Sequence, residues 1–178
     1  MSFNIGDFGL TPSDVGGIIS GQSGWAIFVD GVHTLASPQV IAEGATATLT
    51  NNAVTSITTQ TPSDATAAMW DGLTSKFGPI HVDDYYLWFV RFKAKNTAPN
   101  GGYIDAGINI GGTFGRLFDE SHLFVRGANV EQSFNCLMGG YSGATFMSNG
   151  GLPRATSGNG TTSIYAKEYH VVRLHKGR

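Results

Sequence analysis

Cysteine is nearly absent from this sequence: Cys136 is the one example in 178 residues. No intrachain disulfide can form, so a fold stapled by cystines is excluded, and Cys136 reads as a small apolar core residue. Charge is scarce too, at 13% of residues with a formal net charge of -2. No basic stripe runs along the chain. The densest basic group, Arg173, His175, Lys176 and Arg178, reads as a solvated chain end, so no nucleic-acid partner is expected. No run approaches the ~20 apolar residues of a membrane span. The opening "MSFNIGDFGLTPSDVGG" lacks the basic and apolar regions of a secretory leader, so the chain is expected to be made in a cytoplasm, with no membrane partner.

Twenty-five glycines, together with many threonines, serines and asparagines, disfavour helices and favour short strands joined by tight turns. Residues 1–24 are Gly-rich, with apolar side chains at no regular period, and read as an extended N-terminal arm whose Phe3, Ile5, Phe8 and Leu10 dock on another surface. Residues 25–178 read as one domain, long enough to bury a core without staples. Within it, "WAIFVDGVHTL" suggests two strands around Asp30-Gly31, and "EGATATLTNNAV" sets Ala45, Ala47 and Leu49 against Thr46, Thr48 and Thr50. "TPSDATAAMWDGL" is the one predicted short helix, with Ser63 or Asp64 as N-cap and Gly72 after its end. "YIDAGINIGG" alternates Ile104, Ala106, Ile108 and Ile110 with Asp105, Gly107 and Asn109. Further strands are expected in "SHLFVR", "EQSFNCLMGGY", "GATFMSNGG" and "SIYAKEYHVVRLHK". Roughly eight to ten strands without interleaved helices predict an all-β antiparallel sandwich, a jelly roll.

Motifs that could carry chemistry have plainer readings. "GYSGA" approaches a nucleophile elbow at Ser142, but Ala144 replaces the last glycine and a turn between strands is expected where the elbow needs a helix. "GINIGGTFG" has the glycines of a phosphate loop without its Lys-Ser/Thr. "HVDD" (His81, Asp83, Asp84) and "DESH" (Asp119, Glu120, His122) are the two ligand-like clusters; both read as solvated turns, and an ion there would be Ca²⁺ before Zn²⁺. His33, His170 and His175 stand singly, and Asn159-Gly160-Thr161 reads as a turn. No nucleophile, base and orienter occur together, so catalytic residues, cofactors and structural metals are all expected to be absent.

One strand breaks the half-buried pattern. In "YYLWFVRFKAKN", Tyr86, Trp88, Val90, Phe92 and Ala94 form a core face. The opposite face begins apolar at Tyr85, Leu87 and Phe89 and turns cationic at Arg91, Lys93 and Lys95. The surrounding "SKFGPIHVDDYYLWFVRF" resembles C1q/TNF-like jelly rolls at Lys76, Phe77, Pro79, Tyr85, Tyr86 and Phe89, and "YSGATF" resembles that family's late Phe-Ser-Gly-Phe strand at Tyr141, Ser142, Gly143 and Phe146. Asp84 stands where the family has glycine, and "KEYHVVRLHKG" follows where the family ends. The resemblance implies a homotrimer, with Tyr85, Leu87 and Phe89 turned toward the three-fold axis. Combined with the arm and the composition, it is similar in plan to a tailed-phage capsid decoration (cement) protein. The implied partners are then a second and third copy and the major capsid protein, on the outer surface of a virion. A glycan-binding receptor tip or head-fibre domain, or a carbohydrate-binding module using Tyr85, Tyr103 or Tyr141, stands as the alternative.

Overall fold

The computed structural model describes residues 23–59, 61–62, 69–112 and 115–175. The arm residues Phe3, Ile5, Phe8 and Leu10, the N-cap candidates Ser63 and Asp64, and Lys176 and Arg178 lie outside them. The strands are β1 (Gly24–Val29), β2 (Gln39–Ile41), β3 (Thr46–Thr48), β4 (Thr55–Ile57), β5 (Trp70–Asp71), β6 (Lys76–Phe77), β7 (Tyr85–Asn96), β8 (Tyr103–Gly111), β9 (Gly115–Leu123), β10 (Gln132–Tyr141), β11 (Leu152–Gly158) and β12 (Thr162–His175), with one short helix, α1 (Ala144–Asn149). All pairings are antiparallel. One sheet runs β10-β7-β12-β1-β4, with β2 also on β12; the other runs β3-β11-β8-β9. They pack as a jelly-roll sandwich. No helix among the described residues is long and apolar enough to cross a membrane.

The core follows from alternation. Tyr86, Trp88, Val90, Phe92 and Ala94 of β7 face Ile104, Ala106, Ile108 and Ile110 of β8, and all are buried. Aromatic rings fill one end: Trp70 lies 4.8 Å from both Phe77 and Tyr169, and Trp88 lies 5.3 Å from Phe146, each pair tilted or edge-on as ring quadrupoles prefer. Phe146 comes from α1, where a strand was expected. That segment turns helical because its one buried side chain plugs the end of the sandwich. Gly150 takes φ 69° to end the helix, and a Cβ on Gly151 would come within 2.8 Å of Phe146 and Ile108.

Other expectations are corrected. Only the first half of "WAIFVDGVHTL" is a strand, and β1 pairs with β12 and β4 instead of folding back at Gly31. A Cβ on Gly31 would sit 2.3 Å from Val54, so glycine there serves close packing. Trp70 and Asp71, placed in the predicted helix, form β5 against β6. Of the segment read as an extra strand, "KEYHVVRLHKG", residues 167–175 belong to the central strand β12, between β7 and β1. A bulge between Tyr165 and Glu168, with Ala166 at φ 50°, reverses the parity of β12. Thr162 and Ile164 point inward before it, and Lys167, Tyr169, Val171 and Arg173 after it.

Candidate oligomerisation face

Residues directly opposite in an antiparallel pair share a face, so the register defines the outer surface of the large sheet row by row. One row runs Gly139, Leu87, Val172, Trp25; the next runs Leu137, Phe89, His170, Ile27, Ile57; a third runs Asn135, Arg91, Glu168, Val29, Thr55. Tyr141 opposite Tyr85 closes the first end, their ring centroids 4.9 Å apart. Gly139 leaves the room that Leu87 fills: a Cβ there would lie 2.8 Å from the leucine's Cδ2. Tyr85, Leu87 and Phe89, named from sequence, are half-buried. Leu137, Trp25 and Ile57, which the sequence reading missed, and Tyr141, which it offered only for sugar stacking, are exposed and join the same field. Only strand pairing across long sequence separations brings them together.

The field has a polar boundary on one side. Arg91 pairs with Glu168 at 3.1 Å, and Lys93 with Glu131 at 2.9 Å. Tyr165 donates its hydroxyl to the second Glu131 oxygen, and those two donors hold the Glu131 carboxyl below its ordinary value, Tyr165 first. His170 also contacts Glu168. An apolar centre with a charged margin is the anatomy of a protein interface. Of the alternative sugar-stacking aromatics, Tyr85 and Tyr141 belong to this field, whereas Tyr103 lies on β8 over Gly158. An open groove of about 470 Å³ adjoins the charged margin, lined by His33, Leu35, Lys93, Glu131 and Tyr165 among others.

Behind this sheet lie two ion pairs. Asp84 and Arg173, both read as solvated, are fully buried, with Arg173 Nε 2.9 Å and Nη2 3.1 Å from the two carboxylate oxygens. The Tyr86 hydroxyl donates to Asp84 Oδ2 at 3.0 Å and accepts from the Ile80 amide. Burial raises the Tyr86 pKa far above its ordinary 10.0. Asp84 of the "HVDD" cluster therefore anchors the start of β7 to β12, while Asp83 is exposed in the turn before it, as expected. Lys167, turned inward by the bulge, donates to Asp30 and to Gln39, each at 3.0 Å. His33 Nδ1 lies 2.6 Å from the same Asp30 oxygen. Burial lowers the Lys167 pKa to about 8, with Asp30 opposing.

Ser142 is buried, and its hydroxyl donates to the carbonyls of His81 and Asp84, which ties the β10–α1 turn to the β7 entry. "DESH", expected as a turn, lies in β9, and brings Glu120 and His122 to Cys136. Burial, then the Glu120 charge, pushes the Cys136 thiol up to about 12.

No family model and no curated protein matches the sequence. Among solved structures, the Eiger TNF of S. frugiperda is similar at 12% identity and TM-score 0.51, over 88% of this chain and 96% of that one. PRD1 vertex protein P5 aligns at 10% identity and TM-score 0.43, over 85% and 96%. BiXyn10A CBM1 aligns at 19% identity and TM-score 0.32, over 53% and 55%. The last two scores lie too low to add to the comparison, and the first shows the fold: the chain is a TNF-like β-sandwich of jelly-roll form.

Proposed function

We propose that this chain is a non-enzymatic structural protein of a phage particle, a homotrimer that decorates the outer surface of the head and binds the major capsid protein. The observation that carries the reading is the apolar field spanning β10, β7, β12, β1 and β4, bounded by the Arg91–Glu168 and Lys93–Glu131 pairs. A stable interface buries ~800 Å² per partner, and exposed Leu137, Tyr141, Trp25 and Ile57 beside half-buried Leu87 and Phe89 supply apolar surface for one. Each large side chain taken from half-exposed to buried contributes about 1 kcal/mol, offset in part by the entropy of association. Left open, a field of this kind on a sheet promotes unspecific association. Three copies around one axis cover it in the manner implied by the C1q/TNF resemblance. Ser142, held by two backbone carbonyls, supports a structural role for the elbow-like motif. The arm side chains Phe3, Ile5, Phe8 and Leu10 then reach neighbouring capsid subunits.

The test is immunogold labelling of the virions that carry the protein, with antibody raised against residues 25–178. Label distributed over the head is the expected result. Label confined to tail fibres or a vertex spike assigns the chain to receptor binding and overturns the decoration reading, as does its absence from purified virions.

A further inference from the structure

We propose that Glu120, His122 and Cys136 form a zinc site at the seam where the open edges of the two sheets meet. The sheet orders end in β9 on one side and β10 on the other, and among the described residues no strand ladder joins these two edges. In the β8–β9 register, Glu120 lies opposite Ala106 and His122 opposite Ile104, both fully buried core residues. Two polar side chains thus occupy the core-facing positions of an edge strand, where alternation calls for apolar ones. They meet Cys136, which points inward from β10 between Phe134 and Met138.

The donor atoms converge. His122 Nε2 lies 3.1 Å from Cys136 Sγ and 3.7 Å from Glu120 Oε2, and all three donors lie within 4.8 Å of one another. Tetrahedral zinc, with bonds of ~2.3 Å to sulfur and ~2.0 Å to nitrogen and oxygen, separates its ligand atoms by roughly 3.3–3.6 Å, a spacing that small side-chain rotations reach. Glu120 Oε2 is buried with no hydrogen-bond partner among the described residues, so a cation would satisfy an oxygen that the protein leaves open. The His122 ring is held against Phe134, centroids 5.4 Å apart, and Phe124 packs on Phe134 in turn. This gives the site an apolar wall. A thiolate beside an imidazole selects zinc over calcium or magnesium, which prefer oxygen alone. On binding, the Cys136 thiol releases its proton to solvent as the metal–sulfur bond forms, and a water completes the fourth position. The ion would bridge the two sheet edges.

Cobalt(II) serves as the probe. Reduced full-length protein, stripped with EDTA, is titrated with Co²⁺ and then with Zn²⁺. The expected result is a thiolate charge-transfer band with four-coordinate visible bands, saturating at ~1 equivalent per chain and abolished by zinc. Cys136→Ser removes the charge-transfer band, and Glu120→Gln, at a half-exposed side chain, weakens binding at least ~10-fold. The same zinc raises the thermal midpoint of the parent protein and not of Cys136→Ser. Absence of the band up to millimolar cobalt, or binding unchanged in both variants, overturns the site and leaves a His122–Cys136 hydrogen bond. The Glu120→Gln variant keeps the result interpretable if Cys136→Ser folds poorly.

Discussion

Replacing Leu137 by glutamate separates a surface that mediates assembly from one that merely faces water. Leu137 is 53% exposed in a single subunit, so a glutamate there costs the isolated fold little. In the proposed trimer, each copy loses about 1 kcal/mol of apolar burial and encloses a carboxylate without a partner, at several kcal/mol. Taking about 4 kcal/mol per copy, three copies lose ~12 kcal/mol, or more than eight decades in the trimer association constant. The concentration of half-dissociation scales as the square root of that constant and moves by about four decades. Sedimentation velocity at micromolar concentration reads the change, with near-ultraviolet circular dichroism confirming the fold. Leu73→Glu is the control: Leu73 is 99% exposed, in the β5–β6 turn away from the field, and its variant should assemble normally. A Leu137→Glu protein that remains as associated as the parent would refute the placement of the interface.

Asp84→Ala leaves Arg173 without its carboxylate in the interior and should lower unfolding stability by about 3–5 kcal/mol in urea melts; a loss below about 1 kcal/mol would mean that the pair is solvated after all. For Lys167, a folded pKa of about 8 against an ordinary 10.5 means that the unfolded chain binds more protons between those values, so stability rises with pH from about 8. Cys136, raised from 9.0, opposes this by only about 0.3 kcal/mol between pH 8 and 9, and Tyr86, raised from 10.0, opposes it at higher pH. Unfolding stability from urea melts should therefore rise by about 0.7 kcal/mol between pH 8 and 9, a gain lost in Lys167→Met; a flat or falling profile in the parent contradicts it. Deleting residues 1–14 should leave the oligomer and its melting temperature unchanged while abolishing co-sedimentation with undecorated heads. Equal binding by the truncated chain moves attachment to the sandwich.

The alternating strands were legible because their faces differ in kind. β7 and β8 carry apolar residues, mostly aromatic or β-branched, inward at alternate positions from Tyr86 to Ala94 and from Ile104 to Ile110, and no helical period competes. β12 was legible as a strand but not in its facing, since the bulge at Ala166 reverses parity midway. A period-2 reading has no means to place Lys167 and Arg173 inside, and cationic residues are rarely buried. Their partners Asp30 and Asp84 are distant in sequence, so the pairs arise only from topology. The short α1 was missed because "GATFMSN" carries no cap or period, and its helicity serves one buried phenylalanine. For the candidate site, the apolar start of the outer β7 face was visible in sequence. The extension to Leu137, Trp25 and Ile57 needed the strand order β10-β7-β12-β1-β4. Likewise, Glu120 and His122 were noticed as ligands, whereas Cys136 entered only when β9 and β10 met at the seam.

Mass in solution tests the central claim most directly. The full chain, followed by sedimentation equilibrium from nanomolar to micromolar concentration, should fit a monomer–trimer equilibrium, with a limiting mass three times the chain mass of 18.8 kDa and no dimer plateau. A single species of 18.8 kDa at micromolar concentration would contradict the account, because the apolar face of the large sheet would then stand open to water without a second or third copy to cover it.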